Sequence, residues 1–324
     1  MAGRAGRLRR ALAWAGAWLF ALGWLGLLAG CNNNPLPDGL AASNTLVSAM
    51  IEGSPRHLDP VASYWSNDTP FTYQIYEPPY GYHYLRRPFQ LQPKTALEVA
   101  RPTYLDAHGK VLPGDAPGES VAESVYDIRI RPGILYQPHP AFAKDEAGRY
   151  RYHALRPGEL GQRRSPLAFE HSATRELVAD DYVYALKRQA TPRVTTPVFG
   201  IFSEYLLGLK DYGALIRAED ARQRAAAQPS GADPPFLDFR RWPLAGASAP
   251  DKHLLRLRIK GKYPQWSYWM ALPFVAPVPW EWDRFVIGHA SISRVRTMEM
   301  GDGHTFCLTK LSDVEHLSTD DRTE

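Results

Sequence analysis

Acidic pairs, histidines and cysteines are the side chains through which this chain could do chemistry, and their spacing argues against most of it. Asp180 and Asp181 stand side by side, as a general acid and base could. They open the segment DDYVYALKRQA, however, and Lys187-Arg188 near its far end complement a helix dipole. Capping and dipole pairing are therefore the reading for the two aspartates. His57, His139, His153 and His171 are isolated, without metal-ligand spacing, and read as surface or hydrogen-bonded residues. The sequence has no Gly-x-Ser-x-Gly elbow, His-Glu-x-x-His pair, phosphate-cradling loop or calcium loop. No catalytic residue, metal or cofactor is expected, although carboxylates far apart in sequence could still pair as in a glycosidase.

Aromatic residues point to binding instead. Tyr64, Trp65, Phe71, Tyr73, Tyr76, Tyr80, Tyr82 and Tyr84 crowd one segment, and a second set runs from Tyr263 through Trp266, Trp269, Trp280 and Trp282 to Phe285. Most must be core, since rings dominate burial. The remainder suit a cleft wall, where a ring offers area to an extended ligand without demanding one side-chain type.

The positioning elements begin after an export segment. Arg4, Arg7, Arg9 and Arg10 precede the uncharged run Ala11–Gly30, and no acid occurs before Cys31. Twenty helical residues would rise about 30 Å, the thickness of a bilayer core. The stretch Leu28-Ala29-Gly30-Cys31 resembles the bacterial lipobox, which implies diacylation of Cys31; an uncleaved anchor is the alternative. Both place the rest outside the cytoplasm, tied to a membrane, and two acyl chains hold a domain stably. Removing the four arginines of residues 1–31 leaves 34 basic against 34 acidic side chains, so nothing calls for a nucleic-acid partner. With Cys31 acylated, Cys307 has no intrachain partner and the fold rests on no disulfide.

Residues 32–44 (NNNPLPDGLAASN) read as a tether. Thr45–Ile51 reads as a strand leading into the turn Gly53-Ser54-Pro55. Ser124–Ile130 sets Tyr126, Ile128 and Ile130 on one face against Asp127 and Arg129. His253–Lys260 repeats this with Leu255, Leu257 and Ile259; both are half-buried strands of a mixed or antiparallel sheet. Helices are expected over Asp180–Ala190, with the stripe Val183, Leu186 and Ala190, within Leu206–Gln228 as a solvated charged element, and over Tyr263–Leu272. The class expected is α/β.

Several of these segments, in order, resemble the oligopeptide- and dipeptide-binding receptors of bacterial ABC importers. They are the lipobox, Leu58-Asp59-Pro60, Ile75-Tyr76-Glu77, Val125–Gly133 (VYDIRIRPG) and, most specific, Leu177–Arg188 (LVADDYVYALKR). Tyr136-Gln137-Pro138-His139-Pro140 and Ala276–Arg284 (APVPWEWDR) resemble a long subgroup of the same receptors. The resemblance spans about residues 45–285. It implies a periplasmic-binding-protein-like fold of two α/β lobes enclosing a peptide. It also implies delivery to permease subunits in the inner membrane from the periplasmic side, by binding and not catalysis. Implied ligand-binding residues are Ser54, Tyr76 and Phe199.

Two departures matter. Ser54 stands where the family often carries a glutamate or similar polar residue facing ligand, which weakens capture of a free peptide amine. The resemblance also fades after Phe285. Residues 286–324, ending SDVEHLSTDDRTE, have no counterpart in the family and read as a disordered or frame-shifted tail. The first lobe is then largely present and the second mostly missing, leaving open whether such a fragment binds. An extracytoplasmic hydrolase of peptide or glycan, or an inert lipoprotein fragment, is the alternative.

Overall fold

A computed structural model of the chain describes residues 57–155, 166–230 and 234–288, together with Trp14 and Pro55. Cys31, the tether, the expected strand Thr45–Ile51, Ser54, Cys307 and the chain beyond residue 288 lie outside them. Among the described residues no helix is long and apolar enough to cross a membrane.

Alternating apolar and polar residues build the main sheet. β3 (Thr103–Leu105), β4 (Val111–Leu112), β5 (Glu123–Arg129), β6 (Ala247–Asp251) and β7 (Leu254–Lys260) pair in the order β4-β3-β5-β7-β6, antiparallel throughout. Tyr126 lies opposite Leu257 and Ile128 opposite Leu255, all four buried. On the other face Asp127 takes a two-pronged ion pair from Arg256 at 2.7 Å, and Glu123 takes one from Arg258. The expected inward and outward faces are those observed. A separate hairpin pairs β1 (Tyr80–Tyr82) with β2 (Leu91–Pro93). Gly246 permits a close crossing beside β7, since a Cβ there would stand 2.6 Å from the Leu207 carbonyl oxygen.

The helices share this core. α1 (Thr69–Ile75) is short; α2 (Ala179–Arg188) is the central one. Val183, Leu186 and Ala190 are buried as the stripe predicts, but so are Tyr182, Tyr184 and Arg188. One stripe therefore understates the burial of α2. The Tyr182 hydroxyl bonds Thr95 at 2.5 Å, while Tyr184 donates in another direction to Asp283 at 2.7 Å. α3 (Phe199–Tyr205) is followed by α4 (Leu209–Ala227), whose buried positions Leu209, Tyr212, Gly213, Ile216, Asp220 and Gln223 fall on one face. Its outer face is charged, as expected for a solvated helix. Asp220 and Gln223 differ: both are buried because Arg193 bonds them at 2.8 and 3.1 Å.

α5 is only Trp266–Trp269, shorter than the expected Tyr263–Leu272. Pro273 disfavours helical conformation at Leu272, and Trp266 is fully buried against Phe202, ring centroids 5.2 Å apart. α6 (Trp280–Gly288) closes the described chain. Helices and strands are thus mixed, as the expected class requires.

Candidate functional site

Segments far apart in sequence meet around one cleft of about 320 Å³. Pro60 comes from the Leu58-Asp59-Pro60 turn, and Gln74, Ile75, Tyr76 and Glu77 from the end of α1. Ile134–Gln137 and Phe142 form another side, Leu177 enters from the start of α2, and Pro277–Pro279 with Trp282 come from the approach to α6. The wall is mainly apolar, with Gln74, Glu77, Thr95 and Gln137 as its polar exceptions. Glu77 is the only formally charged side chain at neutral pH among these lining residues. A cleft of this make-up can hold a ligand with apolar side groups and one cation-bearing end.

Behind the wall lie two ion clusters, one buried around Arg188 and one partly buried around Arg175, each an arginine gripping two carboxylates. Arg188 donates to both Asp59 oxygens at 2.7 Å and to Asp283 at 2.9 Å. Burial pulls its guanidinium toward the neutral form, but the charges of Asp283 and Asp59 outweigh this and hold it well above its ordinary pKa. Arg175 forks onto Asp181 at 2.6 and 2.9 Å and onto Glu281 at 2.8 and 2.9 Å. Burial opposes its charge too, and the hydrogen bonds of Asp181 and Glu281 again raise it. Asp181 itself is pushed up, because burial raises its carboxyl more than Arg175 lowers it. The clusters are tied to the cleft by rings. Trp282 lines the cleft with its ring centroid 5.6 Å from the Arg188 guanidinium, and Tyr136 lies 5.2 Å from that of Arg175.

The expected site residues fare differently. Tyr76 lines the cleft, and its hydroxyl donates to the Leu58 carbonyl at 2.9 Å, fastening the Asp59 turn. Phe199 is not among the lining residues; its ring packs over Gly213, with the Arg217 guanidinium 6.0 Å from its centroid. Ser54 and Cys31 lie outside the described residues. The aspartate pair divides: Asp180 is exposed, while Asp181 accepts the Val178 N–H at 3.0 Å, a helix-start role, and also holds Arg175. Glu77 lines the cleft as well, without being among the expected site residues. Its signal in the sequence is its place in the Ile75-Tyr76-Glu77 segment, next to Tyr76.

His139 is the hydrogen-bonded kind of isolated histidine, and it is buried. It is 2% exposed, accepts the Ala141 N–H on Nδ1 at 3.0 Å and packs edge-on to Phe285 at 5.0 Å. Burial pushes its pKa down to about 3. The unfolded chain then takes up a proton below about pH 6.5 that the folded chain refuses until about pH 3, so stability falls as pH drops through that window. We expect a loss of roughly 2 kcal/mol between pH 7 and 5 by urea unfolding. His139→Asn, which keeps an acceptor for Ala141, should flatten that dependence.

No protein-family model matches the chain, and no curated protein matches it. Solved structures do. Over 71% of its length the chain is similar to OppA of Listeria monocytogenes bound to peptide, at 15% identity and a TM-score of 0.38. The pheromone receptor PrgZ, solved for its mode of peptide binding, is similar over 71% at 16% identity and a TM-score of 0.39. The murein tripeptide binding protein MppA of Escherichia coli is similar over 72% at 14% identity and a TM-score of 0.37. All three bind peptide. The chain spans 30% of the length of each.

Proposed function

We propose that this chain is part of the peptide-binding subunit of an ABC importer, anchored by lipid on Cys31 at the periplasmic side and delivering peptide to membrane permease subunits. One observation carries the reading. The separated segments that resemble such receptors, Leu58-Asp59-Pro60, Ile75-Tyr76-Glu77, Tyr136-Gln137, Leu177–Arg188 and Pro277–Arg284, converge on one cleft and on the ion clusters behind it. In this reading the cleft is one wall of the peptide site. Apolar rings and prolines take side chains of varied shape, Gln74 and Gln137 bond the peptide main chain, and Glu77 meets the amino terminus in place of the neutral Ser54. Paired-carboxylate hydrolysis would need a second acid beside Glu77, and none lines the cleft among the described residues.

Calorimetry of the chain with a pool of di- to octapeptides tests this. Saturable heat is expected, and Glu77→Gln should weaken binding of peptides with a free amine about tenfold while leaving N-acetylated peptides unchanged. Absence of heat with every pool would overturn the reading. Mass spectrometry of Cys31 tests the anchor separately.

A further inference from the structure

The loop between β1 and β2, His83–Gln90, carries apolar surface that the cleft does not use. Tyr84 is 86% exposed, Leu85 77% and Phe89 59%. A loop that only had to turn would be filled with polar turn residues, so three large apolar side chains together at one hairpin tip call for an explanation. The tip is also ordered by its own contacts. The His83 N–H donates to the Gln90 carbonyl at 2.8 Å and the Leu85 N–H to His83 Nδ1 at 3.3 Å. Arg87 donates to the Tyr84 and Arg86 carbonyls, both at 3.1 Å, and stands 4.9 Å from the Phe89 ring centroid. Arg86 beside it is exposed, with no ion pair among the described residues. Between Glu77 and Glu98 the chain has no acid, but it has Arg86, Arg87 and Lys94.

We propose that this hairpin tip is a contact with an anionic lipid surface, Tyr84, Leu85 and Phe89 entering the headgroup boundary while Arg86 meets lipid phosphates. A narrow projecting tip that pairs aromatic and aliphatic groups with unneutralised cations matches an interface of wet, negative headgroups over hydrocarbon. Arg87, already bound to loop carbonyls, keeps the apolar groups presented together. This inference is independent of what the cleft binds.

Hydrogen exchange of the full chain in nanodiscs tests it, because exchange in the peptide spanning residues 83–90 reports the loop separately from any anchor. Loop amides should exchange about fivefold more slowly on discs containing phosphatidylglycerol than on phosphatidylcholine alone. About 0.5 M salt should remove most of that difference. Leu85→Ser should lose protection on both discs, and Arg86→Ser only the anionic increment. Equal exchange on both discs and in detergent overturns the proposal. So does protection that arises without lipid and grows with protein concentration, which would assign the loop to contact with a second copy.

Discussion

Arg188→Met is expected to destabilise the protein by about 3–5 kcal/mol, a large fraction of the roughly 5–15 kcal/mol that holds a typical domain folded. Arg188 is 2% exposed, and its three donor nitrogens are all engaged by Asp59 and Asp283, themselves 1% and 3% exposed. Removing the cation strips Asp59 of its two-pronged partner and Asp283 of its Arg188 bond while both carboxylates stay buried. The loss then comes from their desolvation and not from missing volume, because methionine fills much of the same space. Arg188→Lys should also be costly, about 2 kcal/mol, since one ammonium cannot reproduce the two-pronged grip on Asp59 together with the bond to Asp283. The decisive comparison adds Asp59→Asn and Asp283→Asn to the methionine variant. Urea unfolding should recover at least half of the lost stability, and no recovery would show that packing, not charge, is what Arg188 supplies.

Trp282→Ala should cost about 3–5 kcal/mol as well, for a different reason. Trp282 is 4% exposed; it lines the cleft and stands over the Arg188 guanidinium. Truncation removes a large buried ring and opens the cleft toward the Arg188 cluster. Water reaching that cluster would weaken its charge pairing. Trp282→Phe, which keeps a ring over the guanidinium, should lose roughly half as much. Thermal melts with and without peptide separate the two roles of this residue. Peptide should raise the midpoint of the wild type and of Trp282→Phe, but not that of Trp282→Ala.

Much of the local structure was legible in the chain. The alternation in β5 and β7 determined which side chains face inward, because a strand places successive residues on opposite faces whatever it pairs with. The acids and bases at opposite ends of α2 marked its limits through the helix dipole. The ordered segments resembling peptide receptors contain Asp59, Asp181, Arg188 and Asp283, although the residues they imply as ligand-binding are Ser54, Tyr76 and Phe199.

Tertiary structure alone decided what those parts do. Asp181 and Asp180 are neighbours in sequence, yet one is buried on Arg175 and the other faces solvent, because 100° of helix rotation separates them. Arg188 looked like a basic residue near a helix C-terminus, and only the arrival of Asp59 and Asp283 from 129 and 95 residues away turned it into the centre of a buried cluster. The resemblance places an aromatic ligand contact at Phe199, but the bare Gly213 leaves a space that its partly buried ring fills instead. Periodicity is a property of adjacent residues and survives in the sequence. Burial, charge pairing and cleft walls are made by residues that the chain brings together only when it folds, so their partners cannot be read before the fold is known.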